Sequence, residues 1–375
     1  MLECSFNTAC TPPPPSWLSN FLNKFNGDKP ESCPFYFKWI VADLWPWKES
    51  GITLQMVEEA KKMASFRLMI VDGRLFVEIY KKCYQTRDFF TIWGFSQLLK
   101  LYPGMVPDLD LMFNCDDRPL VSRFTYTTTK DPPPLFRYCG HADFYDIPFP
   151  DWSYWGWVEV RSSPWDILIR EIRNGSEEMK WVNRNPIAYW KGNPTVARIR
   201  MELLKCSKIP NWNGQLIVQR DKTGEGRSEK GLNIPNCLNN ASTEKMCESL
   251  NNTVNWGNSH TEEAMEIGNA GSDFLLNELK MKHVYDYMFH VLTKYAKLLK
   301  YKPFVTKNSM EYCSEAMMCF ANEVEKQYMK DTLITTRSPS PPCDIGELHA
   351  NIEAIKEYAE ENKETQFNVK WVEEK

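Results

Sequence analysis

Histidine is scarce in this chain: five occur in 375 residues, and none stands at zinc-ligand spacing. None of the cysteines forms a Cys-x-x-Cys pair. Both absences argue against a metal site and turn the reading of the cysteines toward disulfides. There is no Gly-x-Ser-x-Gly elbow, no Walker phosphate loop and no His-Glu-x-x-His helix. Serine hydrolases, P-loop enzymes and zinc proteases are thereby set aside. Gly224-Glu225-Gly226 has its third glycine misplaced and no apolar strand leading into it, so it reads as loop. No apolar run has transmembrane length. The opening Met1-Leu2-Glu3-Cys4 lacks the basic-then-apolar layout of a secretory leader. A net charge of −4 excludes a general nucleic-acid binder, which needs a basic surface.

What is present is a globular composition, 43% hydrophobic and 25% charged, long enough for two domains. Aromatic residues reach 13%, with 14 Trp, and such residues either build large cores or stack on sugars and bases. Twelve cysteines and three sequons, at Asn174, Asn240 and Asn251, point to an oxidising, secretory setting. A chain that has lost its natural N-terminus would reconcile that setting with the missing leader.

Residues 1–33 read as a disordered, Pro-rich lead-in. A helix is expected over 54–64. Phe66 to Val71 and Arg74 to Tyr80 flank Asp72-Gly73, a hairpin signal. Arg87 to Lys100 has helical apolar spacing and ends at Tyr102-Pro103-Gly104. Leu109, Leu111 and Phe113 then alternate as a half-buried strand, which Pro119 stops. Further helices are expected from about Pro164 to Asn174, over 261–281 with Thr261 as cap, and over 283–300. Residues 221–236 read as loop, and the tail from Pro339 as Pro-rich followed by a charged helix. Hairpin, helix and strand in this order predict a mixed α/β fold.

Three stretches carry candidate chemistry. Asp116-Asp117-Arg118 sits just past the strand end, where α/β proteins place reactive groups. Adjacent carboxylates repel, which favours Asp117 as a base while Asp116 caps the turn; two solvated turn residues is the competing reading. Trp152, Tyr154, Trp155 and Trp157 form either a sugar platform or a core cluster. Lys191-Gly192-Asn193 joins a short strand to a helix beginning at Pro194. This geometry cradles phosphate through free amides, although such turns are also ordinary loop chemistry. His141 beside Asp143 and Asp146 reads as structural rather than metal-binding.

In order along the chain stand Cys115-Asp116-Asp117-Arg118-Pro119, Phe149-Pro150-Asp151-Trp152-Ser153-Tyr154-Trp155-Gly156-Trp157 and Tyr189-Trp190-Lys191-Gly192-Asn193-Pro194. This set resembles the Rumi-like protein O-glucosyltransferases, a family that includes the fungal capsule-associated xylosyltransferases, and is most similar to the plant branch. Gln85-Thr86-Arg87-Asp88, Pro134 to Gly140 and Val284 to His290 add to the likeness.

The resemblance implies a GT-B fold, two Rossmann-like domains facing a cleft. It implies inverting, metal-independent transfer of glucose or xylose from a UDP-sugar to a protein or glycan hydroxyl, with no further cofactor. It makes Asp117 the base, with Asp116 and Arg118 as the supporting turn. It assigns Lys191, Gly192 and Asn193 to the donor phosphates and the 152–157 aromatics to the cleft wall. Residues 34–180 would then be the acceptor domain, 181–300 the donor domain and 301–375 an extension and tail. After about Cys237 the text jumps to Met246-Cys247-Glu248-Ser249, so the resemblance implies an internal deletion that leaves the donor half incomplete. It also implies an ER or Golgi lumen location, with the family's membrane anchor missing.

Overall fold

The computed structural model describes Cys10 and residues 30–126, 131–218 and 243–346. The lead-in, the 221–236 loop and the tail beyond 346 therefore lie almost wholly or wholly outside the described residues. These fall into two units. The first takes residues up to Ile167 and resumes at Leu279; the second runs from Leu168 to Glu278.

The first unit is built on six strands. β1 (Phe66–Val71) and β2 (Arg74–Ile79) pair in the expected hairpin, with Val71 opposite Arg74. Asp72 and Gly73 both have positive φ, 51° and 73°, as a two-residue turn matching the strand twist requires. β3 (Leu109–Phe113), β4 (Phe136–Arg137), β5 (Ile147–Pro148) and β8 (Met310–Tyr312) complete the order β5-β4-β3-β1-β2-β8. β3 runs antiparallel to β1, and β2 to β8; β3–β4 and β4–β5 are parallel. The α/β expectation holds, with a sheet of mixed direction.

Helices cover this sheet. α1 (Trp39–Leu44) and α2 (Leu54–Ala60) precede it, and α2 is capped by Thr53, whose side chain accepts from the Met56 amide at 3.3 Å. α3 (Arg87–Leu101) buries Arg87 and every residue from Phe90 to Leu98, so it is enclosed on all sides. α8 (Met281–Leu298) packs Val284, Tyr285, Met288, Val291, Leu292 and Tyr295 into the same core. α9 (Ser314–Phe320) and α10 (Glu323–Asp331) follow.

β3 differs from the half-buried strand read from its alternation: all five residues are buried, including Asp110. Arg67 of β1 explains this. Its Nε lies 2.7 Å from Asp110 Oδ1, and its Nη2 binds Oδ2. The fork is 2% exposed on the Arg side and 0% on the Asp side. Glu58 takes a third guanidinium N–H at 2.6 Å. Tyr301 donates to Asp110 Oδ2 at 2.8 Å, and Tyr295 to the Asp110 carbonyl at 3.0 Å. Burial opposes the charge on Arg67, but the hydrogen bonds and charges of Asp110 and Glu58 outweigh it and raise its pKa.

The second unit is smaller. α4 (Trp165–Glu178) leads into it, and β6 (Ala188–Gly192) pairs in parallel with β7 (Gly214–Val218). α5 (Arg198–Cys206), α6 (Thr243–Ser259) and α7 (Thr261–Asp273) complete it. Its buried core is Leu203, Cys206, Met246 and Cys247, clamped by the Cys206–Cys247 disulfide. α6 was not anticipated. α7 ends earlier than expected, and a π-helical turn, Phe274–Glu278, separates it from α8. Thr261 does not cap α7: the cap position is His260, without a side-chain hydrogen bond.

Among the described residues no helix is long and apolar enough to cross a membrane. Cys10–Cys313, Cys33–Cys343 and Cys83–Cys115 are disulfides of the first unit, as the cysteine reading expects.

Asp110→Asn should destabilise the chain by about 3–5 kcal/mol, because Arg67 then keeps only the half-exposed Glu58 as counter-charge. Urea unfolding measures this. The double change Arg67→Met with Asp110→Leu should cost less than Asp110→Asn alone.

Candidate active site

The turn after β3 is fastened through its backbone while one side chain stays free for chemistry. The Asn114 side chain donates to the Met63 carbonyl and accepts from the Asp116 amide at 2.8 Å. Cys115 is tied to Cys83. Arg137 donates to the Asp116 carbonyl at 2.6 Å, and the Cys139 thiol to the Asp117 carbonyl at 2.8 Å. The side chain of Asp117 is 73% exposed.

Arg87 aims that carboxylate. It is the first residue of α3, where a positive charge opposes the helix dipole, and it is 6% exposed. Nη1 lies 2.6 Å from Asp117 Oδ1 and Nη2 3.2 Å from Oδ2, a bidentate fork. Nη1 also donates to the Cys115 carbonyl at 2.8 Å. The guanidinium sits 4.5 Å from the ring centre of Trp152. Asp116 faces Lys81 instead, at 3.6 Å, so the adjacent carboxylates take separate cations. Arg118 is exposed.

The aromatic run divides between the two roles open to it. Asp151 caps a 3-10 turn, Trp152–Trp155, by accepting from the Ser153 amide at 2.9 Å. Trp155 is fully buried and donates to the Tyr285 hydroxyl at 2.9 Å, while Trp152 is 4% exposed against Tyr138. Both therefore serve the core and present no open face to a sugar: Gly94 of α3 and Tyr285 of α8 cover Trp155, while Tyr138, Trp157 and Arg87 surround Trp152. Tyr154 and Trp157 are half-buried. Trp157 donates to Gln85 at 3.0 Å, and Gln85 holds a positive φ of 61°, a strained conformation for a side chain of its size. Gly94 is obligatory, since a Cβ there would stand 2.4 Å from Trp155. Arg87 Nε and Trp152 Nε1 are buried donors without a partner among the described residues.

Lys191, Gly192 and Asn193 belong to the second unit. Lys191 and Gly192 end β6, and Asn193 caps a 3-10 turn, Pro194–Val196, accepting from the Thr195 amide at 2.9 Å. The helix itself starts only at Arg198, because Ala197 is extended. The expected strand-to-helix turn is thus lengthened by one short 3-10 segment. His141 and Asp143 meet at 3.4 Å, while Asp146 is turned inward to the Leu120 and Val121 amides. Those three do not form one ligand set.

Arg87, Gln85 and Asp151 lie in stretches that carry the resemblance, but the sequence reading gives them no role in the site. A guanidinium opening an apolar helix was the available signal, since it calls for a carboxylate partner.

A family model described as Glycosyl transferase family 90 matches residues 28–241 and 239–373. Protein O-glucosyltransferase 1 of Bos taurus is 20% identical over 344 residues, 76% of this chain and 85% of that protein. O-glucosyltransferase rumi homologs of Anopheles gambiae and Aedes aegypti are 27% and 28% identical over 173 and 171 residues. These matches cover 44% of this chain and 40% of each insect protein, so the chain spans about two fifths of their length.

Gly94→Ala should cost about 1–3 kcal/mol in urea unfolding by displacing Trp155. Asp151 gives a pH test. Burial pushes its carboxyl above the ordinary range, opposed by its bonds to Ser153. The folded state therefore holds that proton more tightly, and the stability it lends is lost as pH rises. Asp151→Asn keeps the cap and removes the loss. Its stability relative to the parent should grow from about pH 4 toward neutrality, and a constant difference would refute the assignment.

Proposed function

The chain belongs to glycosyl transferase family 90, and on that premise we propose that it transfers glucose or xylose from a UDP-sugar to a protein or glycan hydroxyl. Transfer proceeds in one displacement, with inversion and without a metal. Asp117 takes the proton of the acceptor hydroxyl as its oxygen attacks the anomeric carbon. Arg87 holds the carboxylate in one orientation, with its oxygens directed by the two-point fork. Lys191, Gly192 and Asn193 hold the leaving diphosphate, which needs positive charge and amide donors. The half-buried Tyr154 and Trp157 line the acceptor side. The names of the relatives favour glucose as the sugar and a protein as the acceptor.

The observation that carries this reading is the exposed Asp117 carboxylate, seated in a buried arginine fork at a strand end. In this reading the first unit serves as the acceptor half and the second, shortened after about Cys237, as the donor half of a GT-B enzyme, with α8 assigned to the first unit and not to the donor half. The disulfides fit a lumenal, secretory compartment.

One observation favours a second reading, a family member without competent donor binding. Among the described residues the second unit has a four-residue buried cluster and a two-stranded sheet, little support for a donor pocket.

Asp117→Asn should lower transfer by about 10²–10⁴-fold while unfolding stays cooperative, with a melting temperature lowered modestly because the buried Arg87 loses its counter-charge. Radiolabelled sugar transfer and thermal unfolding measure the two quantities. Unchanged transfer would remove Asp117 as the base. In the parent chain, a melting temperature that does not rise with UDP would favour the second reading.

A further inference from the structure

The second unit has a groove between the end of α4 and one face of α7. Its volume is about 350 Å³, within the range of small-molecule sites. Met179, Trp181 and Met265 form its apolar walls. Gly268 lies on its floor, where a Cβ would meet no atom within 4 Å. The polar lining is of one electrical sign: Lys180 and Arg184 enter it, and no carboxylate does. Glu177 and Glu178 on α4, and Glu266 on α7, lie outside the lining.

The helix end explains only part of this. A cation after the last turn of α4 complements the helix dipole, and Arg184 Nε does donate to the Met179 carbonyl at 3.3 Å. That leaves the outer guanidinium nitrogens of Arg184 uncommitted, together with the Lys180 ammonium. Neither cation has a carboxylate partner among the described residues. The Asn269 amide and the Ser176 hydroxyl also line the groove without a partner there, whereas Ser272 is spent on the Gly268 carbonyl at 3.0 Å. Two cations without a carboxylate partner, an amide, a hydroxyl and an indole that Arg184 itself overlies at 5.8 Å line one cavity, and together match the donor set of a phosphate ester. The planar arginine fork suits phosphate oxygens, and the tryptophan suits the ring the phosphate is attached to.

We propose that this α4–α7 groove is a binding site for a small phosphate-bearing ligand, held by Lys180, Arg184 and Asn269. It goes beyond the transferase reading, which places the donor phosphates on Lys191, Gly192 and Asn193.

Calorimetric titration of the full chain with inorganic pyrophosphate tests the proposal. Saturable binding is expected, weakened at least tenfold in Lys180→Gln with Arg184→Gln and unchanged in Lys208→Gln, an exposed lysine of the same unit outside both sites. All the replaced side chains are at the surface or half-buried, and a melting curve for each variant checks its fold. No saturable binding overturns the proposal, as does equal binding in the double variant. Loss of binding in Lys191→Ala alone also overturns it, and would support the donor turn instead. Binding lost only in the double variant upholds the groove whether or not the chain transfers sugar.

Discussion

The Arg67–Asp110 fork is the constraint on which the first unit rests. A guanidinium and a carboxylate are both out of water in the middle of a sheet, and only their mutual bonds, with Glu58, Tyr295 and Tyr301, make that tolerable. The fork locks the register of β1 against β3 and draws the end of α8 onto the same strand. β3 in turn delivers Asn114, Cys115 and Asp117. The exposed carboxylate of the site therefore hangs from a strand positioned by a buried one.

The site repeats the device one layer out. Arg87 is buried, its partner Asp117 is exposed, and the Cys83–Cys115 bridge holds their two segments together. A rigid buried cation with an accessible carboxylate gives a group that is fixed in direction yet open to solvent. Reactive carboxylates on bare loops lack the first property, and carboxylates in cores lack the second.

Much of the first unit was legible from local chemistry. Asp72-Gly73 announced the hairpin, and the apolar spacing of 87–100 announced α3, because turn residues and periodicity act over a few positions. The full burial of β3 was not legible: its alternation placed Asp110 in solvent, and only the distant Arg67 explains why it is inside. Trp155 could not be separated from Tyr154 by residue type, since α3 and α8 decide which ring is enclosed. In the second unit the strand before Gly192 was legible, but α6 was not. The helix that carries Cys247 to Cys206 is defined by that disulfide more than by its own pattern. Asp117 stood out by its place after a strand, whereas Arg87 required knowing what lay across from it.

The first unit is discontinuous, and two of its disulfides join Cys10 to Cys313 and Cys33 to Cys343, more than 300 residues apart in sequence. β8, α8 and both late cysteines leave the ribosome only after the whole second unit has been made. At ordinary synthesis rates that interval is on the order of ten seconds. Through it, the five earlier strands wait with β2 as an open edge and with the α8 side of the core uncovered. The nascent chain thus passes through a prolonged stage in which the segment that completes the sheet and covers its core has not yet been made.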